Sequence, residues 1–210
     1  MKIINVVGAR PNFIKIAPIV AEMEKREDME YLLVHTGQHY DFKMSQVFFQ
    51  ELEIPEPDIY LNIGSGSHTE QTAKIMIEFE KVLLKEKPDM VLVVGDVNST
   101  MACCITAVKM DIPVAHVEAG LRSFDRTMPE EINRILTDSI SDYLFTTEKS
   151  GEINLLKEGV SSNKIFFVGN VMIDSLLKNI EKAKKSDILD RLNIKKQEYL
   201  LATLHRPSNV

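Results

Sequence analysis

The stretch VVGARPNFIKIAP, residues 6–18, decides the fold. It closes an apolar run over residues 2–7, turns at Gly8 and continues into a helical pattern over 14–25. A short apolar run ended by glycine and followed by helical spacing opens a β-α unit. Two cations stand at the hand-over, Arg10 in the turn and Lys15 in the helix. Gly8 lets the backbone approach a ligand closely. Arg10 offers a planar fork to phosphate or carboxylate oxygens, and Lys15 a point charge. The helix N-terminus adds N–H donors and a favourable dipole. The structural alternative pairs Arg10 with a carboxylate and leaves Lys15 in solvent.

Outward from this unit the alternation repeats. Strands are expected over 31–36, 90–95, 114–118, 143–147 and 165–168, and helices over 42–53, 69–85, 100–110, 130–141 and 150–157. The strands are near-continuous apolar runs, as in sheets covered on both faces. Ser67 with Glu70 fits a capping box, and Pro88 and Pro113 stand just before strands. Repeated β-α order implies right-handed crossovers and a doubly wound, parallel, Rossmann-like α/β sheet. After Asn170 the chain turns helical and charged, and EYLLATLHRPSNV (198–210) then begins a new apolar run. This predicts a Rossmann-like domain over 1–185. Residues 186–210 are expected to be a linker and the first strand of a second domain that is mostly absent.

Composition narrows the function classes. The 210 residues are 44% hydrophobic and 27% charged, with a net charge of −6, which speaks against non-specific nucleic-acid binding. No run approaches the ~18 apolar residues of a membrane span. The opening MKIINVVGARP is too short in apolar length for a signal peptide, so a cytoplasmic location is expected. Cys103 and Cys104 are adjacent in STMACCITAV and read as core thiols of a buried helix. No Cys/His spacing suggests zinc, and no metal is expected.

A doubly wound sheet binds ligands at the carboxyl ends of its strands. Four polar clusters fall there, at 8–10, 37–39, 95–99 and 118–122. In GDVNST (95–100), Asn98 or Ser99 is expected to cap a helix, whereas Asp96 has no such structural reason. HVEAGLRSFDRTMPEEINR (116–134) is the densest stretch. Glu118 ends an apolar strand, where burial favours the neutral carboxyl and suits it to proton transfer. Arg122, Asp125 and Arg126 follow in a loop, and Glu130 and Glu131 open a helix behind Pro129. A Thr127–Glu130 capping box, the helix dipole and a Glu130–Arg134 pair are the structural alternatives for those acids. In HTGQHYD (35–41), Gln38, His39 and Asp41 belong near the same mouth, where a lone histidine is commonly structural. His205 and Arg206 follow the last apolar run. In a two-domain enzyme that loop faces the first domain, and His205 is placed to donate to an anionic group.

The ordered set GARPNFIKIAP, TGQHYD, GDVNST, HVEAGLRS, MPEEINR and TLHRPSN resembles the non-hydrolysing branch of the UDP-N-acetylglucosamine 2-epimerase family. The resemblance implies two Rossmann-like domains facing a cleft, the GT-B-like arrangement, of which this chain supplies the N-terminal half. It implies interconversion of UDP-GlcNAc and UDP-ManNAc by elimination of UDP to a 2-acetamidoglucal and re-addition. No cofactor is implied. Asp96, Glu118 and one of Glu130 and Glu131, with Glu130 favoured, then serve as acids and bases. Arg10, Lys15, Arg122 and His205 face the substrate, and His205 joins the catalytic set. Some relatives bind a second UDP-GlcNAc as activator, for which Gln38, His39 and Glu131 are candidates. A homodimer and a role in polysaccharide or aminosugar supply are also implied. After the HR pair the family usually has a glutamate and an asparagine, where this chain reads HRPSN. The rival readings are a hydrolysing epimerase releasing ManNAc and UDP, a glycosyltransferase of the same architecture, and a non-catalytic nucleotide-sugar-binding module.

Overall fold

A computed structural model describes residues 1–37 and 49–203. Seven strands are described: β1 (Lys2–Val7), β2 (Glu30–His35), β3 (Ile59–Tyr60), β4 (Met90–Val94), β5 (Val114–Ala119), β6 (Tyr143–Thr146) and β7 (Ile165–Phe167). They form one sheet in the order β3-β2-β1-β4-β5-β6-β7, with every pairing parallel. The order reverses direction between β1 and β4, the switch point at which such sheets open a crevice. The doubly wound expectation therefore holds. The two-residue β3 was not expected, because IY is too short to show a period.

The helices are α1 (Arg10–Met23), α2 (His68–Glu86), α3 (Asn98–Lys109), α4 (Pro129–Ile140), α5 (Lys149–Lys157), α6 (Val171–Lys184) and α7 (Ile188–Leu192). The chain divides into two compact units, Met1–Ser175 and Leu176–Val210. In the first, α2 and α3 cover one sheet face: Ile75, Phe79, Cys103 and Ala107 pack on Ile4, Val6, Val91 and Val93. On the other face Phe13, Ile16 and Val20 of α1 pack on Ile3, Val7, Leu33 and Leu92. Both cysteines are free and buried, and burial pushes the Cys104 thiol up to about 12.

Pro18 lies inside α1 and has no N–H to return to the Ile14 carbonyl. That carbonyl instead accepts from the Ser175 hydroxyl, which ties the first residues of α6, within the first unit, to α1. At the end of β5, Gly120 sits at φ +79°, and a Cβ there would lie 2.3 Å from the Gly151 carbonyl oxygen. Strand end and α5 thus meet backbone to backbone. In the second unit the described residues 199–203 are not in a strand, and Leu200 and Leu201 are exposed. None of the described helices is long and apolar enough to cross a membrane.

Candidate functional site

Helix α1 begins at Arg10, four residues before its expected start, because Asn12 closes the turn from inside the helix. Its Oδ1 accepts from the Gly8 and Ala9 amides (3.0 Å each), and its Nδ2 donates to the Val94 carbonyl (2.9 Å). One buried amide thus locks the β1 and β4 ends together at the switch point. Thr36 and Ser99 share a hydroxyl hydrogen bond of 2.7 Å. A Cβ on Gly8 would lie 2.1 Å from Ser99 Oγ, so Gly8 serves close packing of those two hydroxyls.

Lys15 lies one helical turn beyond Asn12, on the same side of α1. It is buried and ion-paired with Glu118, so it is not the solvated lysine of the structural alternative. Glu118 is correspondingly not a carboxyl alone in apolar surroundings. It has φ +75° and stands at a register irregularity of β5 between Val117 and Ala119. A non-glycine residue in the left-handed region inside a strand is strained by about 1–3 kcal/mol and persists only where its surroundings impose it. The bulge re-aims the side chain from the sheet face towards its mouth. Gly95, at φ +69°, forms the floor: a Cβ there would meet Lys15 Nζ at 2.9 Å and Glu118 Oε2 at 3.5 Å. Helix α1 and the ends of β4 and β5 therefore bring Lys15, Gly95 and Glu118 together, and Asp96 follows Gly95 directly.

Helix α4 holds the loops around this centre. Arg134 pairs with Asp96 and with Glu131 (3.2 Å), and Asn133 Nδ2 donates to the Asp96 carbonyl (2.9 Å). Glu131 is buried and accepts from the Ser123 and Phe124 amides at 2.9 and 3.0 Å and from the Ser123 hydroxyl. Burial pushes the Glu131 carboxyl up, but those donors and Arg134 outweigh it and hold it below its ordinary value. Glu131 thus fixes the loop before α4. Glu130 is half-buried in the first helical turn and has no ion-pair partner among the described residues.

Several expectations are corrected here. No Thr127–Glu130 capping box forms: Met128 is the N-cap, and Asp125 takes the Thr127 amide and hydroxyl. Arg134 bonds Asp96 and Glu131 rather than Glu130. Asn98 and Ser99 do not cap α3 but sit buried inside it, Asn98 hydrogen-bonded to Gln71 and His68. Arg122, expected to face the substrate, is engaged within the protein. Its guanidinium is buried, pairing with Asp138 (2.7 Å) and with both oxygens of Glu158 (2.8 and 2.6 Å). Ser67 does cap α2, accepting from the Glu70 amide. Arg10 is exposed at the start of α1. Gln38, His39, Asp41, His205, Arg206 and most of the helix expected over 42–53 lie outside the described residues. Sequence reasoning missed Asn12, Asn133, His116 and Asp138, and gave Arg134 a different partner. The polar spacing of α4, with acids or bases at 131, 134 and 138 (one face), was the available signal.

The family model described as UDP-N-acetylglucosamine 2-epimerase matches residues 21–210. The chain is 57% identical over 211 residues to a UDP-N-acetylglucosamine 2-epimerase homolog of Methanococcus maripaludis, covering 100% of this chain and 58% of that protein. It is 46% identical to a UDP-2,3-diacetamido-2,3-dideoxy-D-glucuronate 2-epimerase of Pseudomonas aeruginosa, again over 100% of this chain and 58% of the relative. It is also similar to the crystal structure of the Methanocaldococcus jannaschii UDP-GlcNAc 2-epimerase in complex with UDP-GlcNAc and UDP. That likeness has a TM-score of 0.87 at 52% identity and covers 91% of this chain and 53% of that one. The chain thus spans somewhat over half the length of these relatives.

Proposed function

Because the chain belongs to the UDP-N-acetylglucosamine 2-epimerase family, we propose that it supplies the acid/base half of a non-hydrolysing epimerase that interconverts UDP-GlcNAc and UDP-ManNAc. The observation that carries the reading is Glu118, a carboxylate held in left-handed backbone conformation at a strand bulge and paired with Lys15. Neither packing nor capping calls for such an arrangement.

The chemistry explains the residue types. The C2 proton of the sugar has no neighbouring carbonyl to acidify it. As the C1–O bond breaks, its electron pair leaves with UDP and positive charge builds on the ring. A base then removes the C2 proton and the 2-acetamidoglucal forms. Re-addition returns UDP to C1 and a proton to the opposite face of C2, so acids or bases on two sides are needed. In this reading Glu118 and Asp96 flank the C2 region and Glu130 contributes from α4. Lys15 and Arg10 offset charge on the departing pyrophosphate. His205 is assigned to the substrate's anionic side.

Proton NMR of UDP-GlcNAc in D2O tests this, with the chain alone and extended to the length of its relatives. Deuterium at C2 with UDP-ManNAc appearing is the expected result. Free ManNAc with UDP would establish the hydrolysing reaction instead. Absence of both from the folded, extended chain overturns the proposal.

A further inference from the structure

We infer that His116, donating from both ring nitrogens, positions the turn carrying Asp96 against Glu118. His116 lies in β5, fully buried, and belongs to none of the groups assigned above. Its Nδ1 is 2.7 Å from Asp138 Oδ1 and its Nε2 is 2.8 Å from the Gly95 carbonyl oxygen. A peptide carbonyl only accepts, so Nε2 carries a proton. The second Asp138 oxygen accepts from Arg122 (2.7 Å) and from the Gly120 amide (3.0 Å). The Arg122 guanidinium beside it favours the ionised form of Asp138. An ionised carboxylate also only accepts, so Nδ1 carries a proton too. A ring that donates from both nitrogens is a cation.

Other charged groups surround this pair. Arg122 comes from the loop after β5, Asp138 from α4 and Glu158 from the end of α5. His116 and Arg122 thus share the buried Asp138 carboxylate, and Arg122 also reaches the exposed Glu158. From α3, the Cys104 thiol lies close enough to feel Asp138 but is itself held neutral by burial.

The geometry gives this cation a task. The Gly95 amide donates to the Val117 carbonyl (3.1 Å), and the Gly95 carbonyl accepts from His116. Both sides of a left-handed glycine are thereby fixed by neighbouring residues of one strand. That glycine is the floor beneath Lys15 and Glu118, and Asp96 is its next residue. His116 is therefore a positioning residue and exchanges no proton with a ligand.

The first test is NMR of the chain with 15N-labelled histidine at neutral pH, assigned through bonds to the backbone. Protons on both His116 ring nitrogens are expected, with one lost in Asp138→Asn. A bare ring nitrogen in the native chain, with the proton on Asp138 instead, would overturn the charge. The second test rests on the proposed epimerisation and is read on the extended chain. His116→Gln should lower kcat about 10²-fold, as misplaced catalytic groups do, with KM changed less than kcat. A change confined to KM, or an unchanged kcat, would overturn the positioning role. Failure of the epimerase reading leaves the NMR result standing, so the two failures are distinguishable.

Discussion

Glu118 concentrates the chemistry in one residue, and its identity and its backbone make separate demands. Glu118→Gln keeps size and shape but removes the base that the proposed epimerisation assigns to it. Deuterium exchange at C2 is expected to fall about 10²- to 10⁴-fold, with circular dichroism unchanged. Gly95→Ala attacks the same centre from below: at φ +69° its Cβ would press on Lys15 Nζ at 2.9 Å. A loss of about 1–2 kcal/mol in urea unfolding is expected, accompanied by loss of exchange. Lys15 and Glu118 were each legible as isolated letters, because a charge directly beside an apolar strand is conspicuous. Their pairing was not, since 103 residues separate them in sequence. The partners of Arg122 were hidden for the same reason: the sequence shows a loop cation but not Asp138 and Glu158, which pair with it. Asn12 looked like a turn residue and acts as the fastener of two strands.

Among the elements, α4 and the end of β2 set the response to acid. His35 is buried against Phe13 and Tyr60, and burial lowers it from 6.5 to about 4. A histidine kept neutral in the fold contributes stability above its unfolded value, and that contribution disappears as pH falls from about 6.5 through about 4. The shift amounts to about 3 kcal/mol. Asp138, depressed in the fold, contributes above about pH 4 and loses its share only below that. Urea unfolding followed across pH should therefore show two acid limbs. His35→Gln is expected to flatten the upper one alone. Asp138→Ala is expected to cost about 3–5 kcal/mol at neutral pH, because it removes the buried partner that His116 and Arg122 share. The strands and helices themselves were largely legible from apolar runs and proline punctuation. The helix starts were less so, because Asn12 and Glu131 satisfy backbone groups from within their helices, where sequence rules look for caps outside.

For the whole molecule, stability belongs to Met1–Ser175, which contains the sheet and both apolar layers. Limited proteolysis should cut first in the exposed stretch 185–200 and leave a folded fragment ending near α6. Early cuts inside β4 or β5 would refute that distribution. The alternation of strand and helix announced the sheet, but the contact between Gly120 and Gly151 could not be foreseen, because bare backbone leaves no pattern to read. That contact makes the two positions a locked pair in any collection of variants. A side chain on Gly120 meets a carbonyl that no neighbour can trim, so a second substitution cannot rescue the first. Drift along this chain is free to repaint the loops around the mouth, while the joint between β5 and α5 stays closed to exploration.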